Sequence, residues 1–326
     1  MNVTILGAGA WGTALGLLAS RNGATVTVQG HDPEHLAAMA ATQRNERSLP
    51  GIALPADWQY EDSVPAAAEG ADLVVVATPS HAFRGVASQL SNFEKTVVTV
   101  TKGVELQTGL TMSGVLEEVA SRACAAALSG PSLALEVAKG IPTAVVAASR
   151  SKEAAQLTQQ IFHQAAFRVY TSSDLIGVEL GGALKNVMAI AAGVCDGLRF
   201  GDNAKAALIT RGMAEMRRIG LACGAREGTF SGLSGLGDLT VTCFSPLSRN
   251  RGFGERIGRG EIPATVIASS KTLVEGYHAA KSVRELALRR DIYAPITLEV
   301  YAMLYEGKNV RHAVTDLLSR DSKAED

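Results

Sequence analysis

The sequence predicts an α/β protein: a doubly wound parallel sheet followed by an all-helical second domain. Three observations predict it. An apolar, β-branched run, Val3-Thr4-Ile5-Leu6, enters the glycine turn Gly7-Ala8-Gly9-Ala10-Trp11-Gly12 and continues as a helical stretch. Short apolar strands then alternate with helical stretches to about residue 180. Beyond it, strand signals largely vanish and long helical runs take over. At 326 residues the chain is about twice a typical domain, which sets the expected division at 1–180 and 181–326.

The glycine turn is the most specific of these signals. Strand, tight turn and helix start bring backbone N–H groups up to a pyrophosphate. Gly7 makes the turn, Gly9 removes a side chain that would block phosphates, and Gly12 lets helix and strand pack closely. Ala24-Thr25-Val26-Thr27-Val28 completes a βαβ unit. The N-terminal domain is therefore expected to be Rossmann-type and to bind a dinucleotide.

The remaining strands read as Ala71 to Pro79, Thr96 to Thr101, Ala125 to Pro131 and Thr143 to Ala148. Continuous apolar strands separated by helices indicate a parallel sheet covered on both faces. Ligands on such sheets bind beyond the carboxyl ends of the strands, so Gly7, Pro79, Lys102 and Gly130 should converge. Asp174 is placed to cap a long helix from Leu175 to Ile190, with further helices at about 203–223, 271–289 and 296–306. The Gly- and Ser-rich stretch 228–254 reads as loops around short helical turns, and Ser319 to Asp326 as a polar, frayed end.

Composition narrows the function classes. The 31 basic and 32 acidic residues offer no global field for nucleic acid or an anionic membrane, so any anion site must be local. Cys124, Cys195, Cys223 and Cys243 are scattered, which suits reduced thiols in a cytoplasmic protein better than disulfides or zinc. No metal-ligand spacing and no hydrolase triad pattern is present, and no uncharged run approaches the ~20 residues of a bilayer span. The alanine- and glycine-rich helices could bury against one another or against a second copy, so a homodimer stays open.

Nucleotide choice is normally set at the end of the second strand. Asp32 has the spacing of an acid that selects NAD, but Asp32-Pro33-Glu34 also reads as a helix cap followed by proline, and the capping role is preferred. Gly30 and His31 would then face the ribose, leaving room for a 2′-phosphate. The expected cofactor is NADPH, with NADH as the alternative.

Lys185 is the candidate for proton transfer. It is the sole charged residue between Glu179 and Asp196, in a helix otherwise built of Gly, Ala, Val, Leu, Ile, Met, Cys and Asn. Gly181 and Gly182, one turn earlier, suggest space beside the ammonium. Burial would push its pKa toward neutrality. Lys102 and Ser129-Gly130-Pro131-Ser132 follow strands and face the same cleft. Gly232 to Thr242, then Ser248-Arg249-Asn250-Arg251, supply glycine-rich backbone and an arginine fork suited to phosphate.

Taken together, Gly7 to Ala14, Thr101-Lys102-Gly103, Ser129 to Ser132, Glu179 to Asn186, Gly235 to Leu239, Ser248-Arg249-Asn250 and Val274-Glu275-Gly276 resemble the bacterial-type NAD(P)-dependent glycerol-3-phosphate dehydrogenases. Ala10 stands where serine is common and Gln29 where tryptophan is common. The resemblance implies interconversion of dihydroxyacetone phosphate and sn-glycerol 3-phosphate for phospholipid synthesis. It implies Lys185 as proton donor and acceptor. It puts substrate contacts at Lys102, Gly130, Ser132, Lys185, Asp238, Ser248, Arg249 and Asn250. Cofactor contacts fall on Ala10, Trp11, His31, Lys102, Ala134, Arg249, Leu273 and Glu275, beside Gly7, Gly9 and Gly12. A β-hydroxyacid or 6-phosphogluconate-type dehydrogenase is the alternative reading, since these also carry a lysine on the first helix after the nucleotide domain. A protein that senses the nucleotide without turnover is disfavoured by the two lysines.

Overall fold

The computed structural model describes residues 1–270 and 272–319. Eight strands form one sheet: β1 (Asn2–Leu6), β2 (Thr25–Gln29), β3 (Gln59–Glu61), β4 (Leu73–Val76), β5 (Thr96–Thr99), β6 (Cys124–Ser129), β7 (Thr143–Ser149) and β8 (Phe167–Ser172). Their order is β3-β2-β1-β4-β5-β6-β7-β8. Ile5 of β1 pairs with Val28 on one side and Val75 on the other, so the centre of the sheet is a continuous apolar layer. Helices cover both faces, which is why β4 and β5 are buried throughout.

The sheet departs from the wholly parallel expectation at one joint: β7 runs antiparallel to β6, and β8 then lies parallel to β7. A strand buried on both faces carries the same residues whichever way it runs, so composition is blind to this reversal. The two strands the sequence did not reveal, β3 and β8, are the edges. β3 has three residues, and β8 turns Arg168 and Tyr170 outward, as edge strands do. From β1 through β6 the carboxyl ends share one side, which brings the glycine turn, Thr78, Lys102 and Gly130 to a common rim.

The remainder is helical. Asp174 caps Leu175–Gly197 through Gly177 N (3.0 Å) and also accepts from Arg226 N and Thr229 Oγ1. This helix runs across residue 180, so the expected division falls inside one continuous element. It is long and apolar enough to cross a bilayer, yet nearly all of it is buried within the protein, as the core helix of this half.

The stretch 228–254 is more ordered than its composition suggests. It holds Glu227–Phe230, a single π-turn at Leu233–Gly237, the helix Asp238–Phe244 and the start of Arg249–Gly258. Two of its glycines, Gly235 and Gly254, are there for contact. A Cβ on Gly254 would sit 2.0 Å from Ile190 O, and one on Gly235 2.2 Å from Phe230 O. Tertiary packing overrides low helix propensity here. Reciprocally, a Cβ on Gly193 would meet Arg251 O at 2.0 Å and one on Gly197 would meet Glu255 O at 2.3 Å. Glycines four apart on each helix thus let Leu175–Gly197 and Arg249–Gly258 touch backbone to backbone. The other expected helices are Gly201–Ala222, Glu275–Arg289 and Pro295–Tyr305, joined by the unanticipated Pro263–Ser269 and Val310–Leu318. Of the polar end, residues 320–326 lie outside the described residues.

Candidate active site

At the glycine turn, Gly7 has φ +121°, and a Cβ there would lie 2.7 Å from Ala77 O on the neighbouring chain segment. A Cβ on Gly12 would strike Gly7 O at 2.1 Å, so this position closes helix onto strand. Gly9 is the opposite case: a Cβ there meets nothing within 4 Å. The helix Ala10–Arg21 has no side-chain cap at Gly9, which leaves its first N–H groups facing that open space. Nearby, Thr78 Oγ1, Ser129 Oγ and the Trp11 indole N–H are buried without a hydrogen-bond partner among the described residues. Open room, an uncapped helix start and unsatisfied polar atoms at the strand ends fit a dinucleotide. Ala10 and Trp11 begin that helix, and the short helix of Ala134 (Ala134–Ala138) packs against it.

At the end of β2, Asp32 caps Pro33–Thr42 by accepting from His35 N (3.1 Å), as its sequence suggests. It also receives Arg47 Nη1 at 2.6 Å. These two contacts, the backbone one first, hold its carboxyl below the usual range. Gly30 is buried and His31 is exposed.

The candidate chemical centre is one carboxylate shared by two lysines. Asp238 opens the helix Asp238–Phe244 and is 1% exposed. Its Oδ1 receives Lys185 Nζ and its Oδ2 receives Lys102 Nζ, each at 2.6 Å. Lys185 Nζ also donates to Thr242 Oγ1 (2.6 Å), one turn along from Asp238, and Lys102 Nζ to Gly130 O (3.1 Å). Each ammonium has three N–H groups and spends two of them on these partners, so one remains on each. Burial drives the Lys185 pKa down to about 8; Asp238 opposes this and the Lys102 charge adds to it.

Gly181 and Gly182 act differently from the expected clearing beside the ammonium. A Cβ on Gly181 would meet Ser234 O at 2.4 Å, and one on Gly182 would meet Ser129 Oγ at 2.7 Å and Lys102 Cγ at 3.2 Å. The glycines admit the π-turn and the stem of Lys102; the space is filled by the groups that build the site.

The second half completes the cleft. Ser248 caps Arg249–Gly258 by accepting from Arg251 N, and Arg249 extends outward with Nη1 on Leu273 O (2.9 Å). Asn250 is committed to the frame: its Nδ2 donates to Asn186 Oδ1 (2.8 Å) and its Oδ1 accepts from Gly276 N (2.9 Å). Asn186 in turn donates to Lys102 O at 3.4 Å. Ser132 Oγ donates back to Gly130 O. Glu275 accepts from Ser80 Oγ (3.1 Å), and burial raises its pKa.

Hydrogen bonds thus link Lys185, Asp238, Lys102, Gly130, Ser132, Asn186 and Asn250 into one cluster, while Arg249 is joined to Leu273 and Glu275 to Ser80. His31 stands one strand further along the rim. Sequence reasoning gave no role to Thr242, Thr78 and Ser80, and named Ser129 only as part of the polar turn after its strand. Thr242 lies four residues after Asp238, which is the one spacing that could have revealed it. The others are ordinary polar residues until the strand ends are aligned.

Comparison with known proteins agrees over the whole chain. Models described as the NAD-dependent glycerol-3-phosphate dehydrogenase N-terminus and C-terminus match residues 2–155 and 174–315. A glycerol-3-phosphate dehydrogenase (NAD(P)+) of Geobacter metallireducens is 47% identical over 99% of this chain and 98% of its own. One from Chlorobium limicola is 46% identical over 100% and 99%. The crystal structure of glycerol-3-phosphate dehydrogenase from Coxiella burnetii superimposes with TM-score 0.94 at 37% identity, covering 98% of this chain and 99% of that one.

Proposed function

The chain belongs to the NAD-dependent glycerol-3-phosphate dehydrogenases, and from that membership we propose how its own residues carry the reaction. The reaction is the reversible NAD(P)H-dependent reduction of dihydroxyacetone phosphate to sn-glycerol 3-phosphate. The observation that carries the assignment of roles is the buried carboxylate of Asp238 held between Lys185 and Lys102.

Bound reduced nicotinamide supplies the hydride. Gly7, Gly9 and Gly12, with the N–H groups of Ala10 and Trp11, would hold the pyrophosphate, and Ala134, Leu273, Glu275 and His31 would flank the rest of the nucleotide. Lys185 aims its remaining N–H at the C2 oxygen of the substrate, balances the negative charge that grows there and donates the proton. A pKa near 8 lets the same amine, once neutral, accept the proton of the C2 hydroxyl in the reverse direction. Asp238 fixes both ammonium groups and Thr242 fixes the rotamer of Lys185. Lys102 reinforces the positive field. Arg249 and the N-terminal N–H groups of its helix, capped by Ser248, take the phosphate. Gly130 and Ser132 border the polyol. Asn250 works one step back, holding Asn186 and through it the Lys102 segment.

NADPH is the preferred donor in this reading, because Asp32 is occupied by its helix cap and by Arg47. The functional boundary is set at the cap Asp174, where the sheet ends and the Lys185 helix begins. Four unpaired cysteines favour a reducing cytoplasm, where the product feeds glycerophospholipid synthesis.

A homodimer is supported by an apolar groove of about 650 Å³ lined by Val194, Leu208, Ile296, Val300, Met303 and Leu317. Phe200 and Leu318 also line it and stay solvent-exposed, which leaves apolar surface for a second copy to cover. Light scattering of the purified protein is expected to give twice the chain mass. Absorbance at 340 nm tests the activity: NADPH is consumed on adding dihydroxyacetone phosphate, and sn-glycerol 3-phosphate accumulates. Unchanged absorbance would overturn the reading.

A further inference from the structure

We propose that the Asp32–Arg47 ion pair is the nucleotide discriminator, with Arg47 receiving the adenosine 2′-phosphate. This rests on, and deepens, the NADPH preference above. The sequence alone pointed to Gly30 and His31; Arg47 lies fifteen residues from Asp32 and is brought to the ribose corner by folding.

The placement is built. Asn45 is 1% exposed and donates through Nδ2 to Ala8 O (3.0 Å), inside the glycine turn, and to Thr13 Oγ1 (2.8 Å) on the first helix. Its Oδ1 accepts from Ser48 N (3.1 Å). One buried amide therefore staples the 45–48 turn to the dinucleotide site. Arg47 projects from that turn and meets Asp32 with Nη1 at 2.6 Å.

The electrostatics follow. A lone Asp32 at the end of β2 would favour ribose hydroxyls and repel a 2′-phosphate. Here its Oδ1 caps His35 N and its Oδ2 is neutralised by Arg47. A guanidinium carries five N–H donors in a planar fork, so one contact to Asp32 leaves others for a phosphate. The Arg47 side chain is 62% exposed and has room to swing. Neighbouring Arg44 is paired with Glu46, and Glu46 also accepts from Gly51 N, so that cation is the weaker candidate. The pair accounts for use of either nucleotide: Asp32 tolerates a hydroxyl, and Arg47 adds the grip for a phosphate.

Equilibrium binding of 2′,5′-ADP and 5′-ADP by titration calorimetry, with NADPH and NADH alongside, tests this without turnover. Arg47→Gln is expected to weaken 2′,5′-ADP and NADPH about tenfold or more and to leave 5′-ADP and NADH within twofold. Asp32→Asn keeps a competent cap and releases Arg47, so it is expected to tighten 2′,5′-ADP several-fold. That gain in affinity is an effect a merely structural role would not produce. Equal losses for both nucleotide types in Arg47→Gln, or no change in either, would overturn the inference. The wild-type ratio of NADPH to NADH affinity separately tests the preference: a ratio near one refutes that reading, while the change in ratio on mutation still reports on Arg47.

Discussion

Glycine builds two regions of this molecule in opposite ways. In the turn after β1, Gly9 borders open space, and room is the point. Between Leu175–Gly197 and Arg249–Gly258, the positions Gly193 and Gly254 are occupied by the facing backbone, where a Cβ would come within 2.0 Å of a carbonyl oxygen. The first region leaves open space beside the start of the first helix. The second is filled, so that the Lys185 helix and the Arg249 helix pack backbone to backbone. A glycine is thus informative only with its neighbour: the sequence shows the residue, and the fold shows whether the space is kept or filled.

The contrast can be broken by mutation, beginning with the residue that the filled region positions. Lys185→Ala is expected to lower turnover by ~10²–10⁴ while NADPH binds as before by calorimetry. The two glycine uses come next. Gly254→Ala forces a methyl against Ile190 O and is expected to cost about 1–3 kcal/mol of stability, read as a lowered Tm. Gly9→Ala is expected to leave Tm unchanged and to weaken dinucleotide binding by roughly tenfold, or 1.4 kcal/mol. Equal behaviour of the two variants would dissolve the distinction.

A smaller effect is the pH profile. Reduction needs the Lys185 ammonium, so its rate should fall as pH rises through about 8, and the oxidative direction should rise over the same interval. Stopped-flow hydride transfer in both directions checks the opposed limbs.

The smallest effect concerns Glu179, on the same helix as Lys185. Its carboxylate accepts from Ser113 N (2.8 Å) and Ser113 Oγ (2.5 Å), and burial raises its pKa to about 7 from 4.5. A carboxyl with a raised folded value stabilises the fold fully below its unfolded value, and that contribution is lost as pH rises through 7. Glu179→Gln should therefore raise Tm by about 2–4 °C at pH 8 and have little effect at pH 4.5. A gain of equal size at both pH values would contradict this.

Legibility follows the same physics. The strand, the glycine turn and the first helix were readable because backbone approach demands glycine at fixed spacing. The burial of Lys185 was readable because a single charge in an apolar helix has to be accounted for. The β6–β7 reversal was not, since strands covered on both faces look alike in either direction. Nor was the π-turn and helix architecture of 228–254, where contact with Phe230 and Ile190 selects glycines that propensity assigns to loops. Thr242 and Arg47 stayed hidden for a different reason: each acquires meaning from a partner carboxylate, Asp238 or Asp32, whose own geometry exists only after folding.

The central claim is that one buried amine, steered by Asp238, delivers the proton. Adding ethylammonium to Lys185→Ala tests it most directly, because the small amine can occupy the space left by the side chain. Saturable recovery of dihydroxyacetone phosphate reduction, absent with sodium chloride at equal ionic strength, is the predicted result. Near wild-type turnover of Lys185→Ala without any added amine would contradict it.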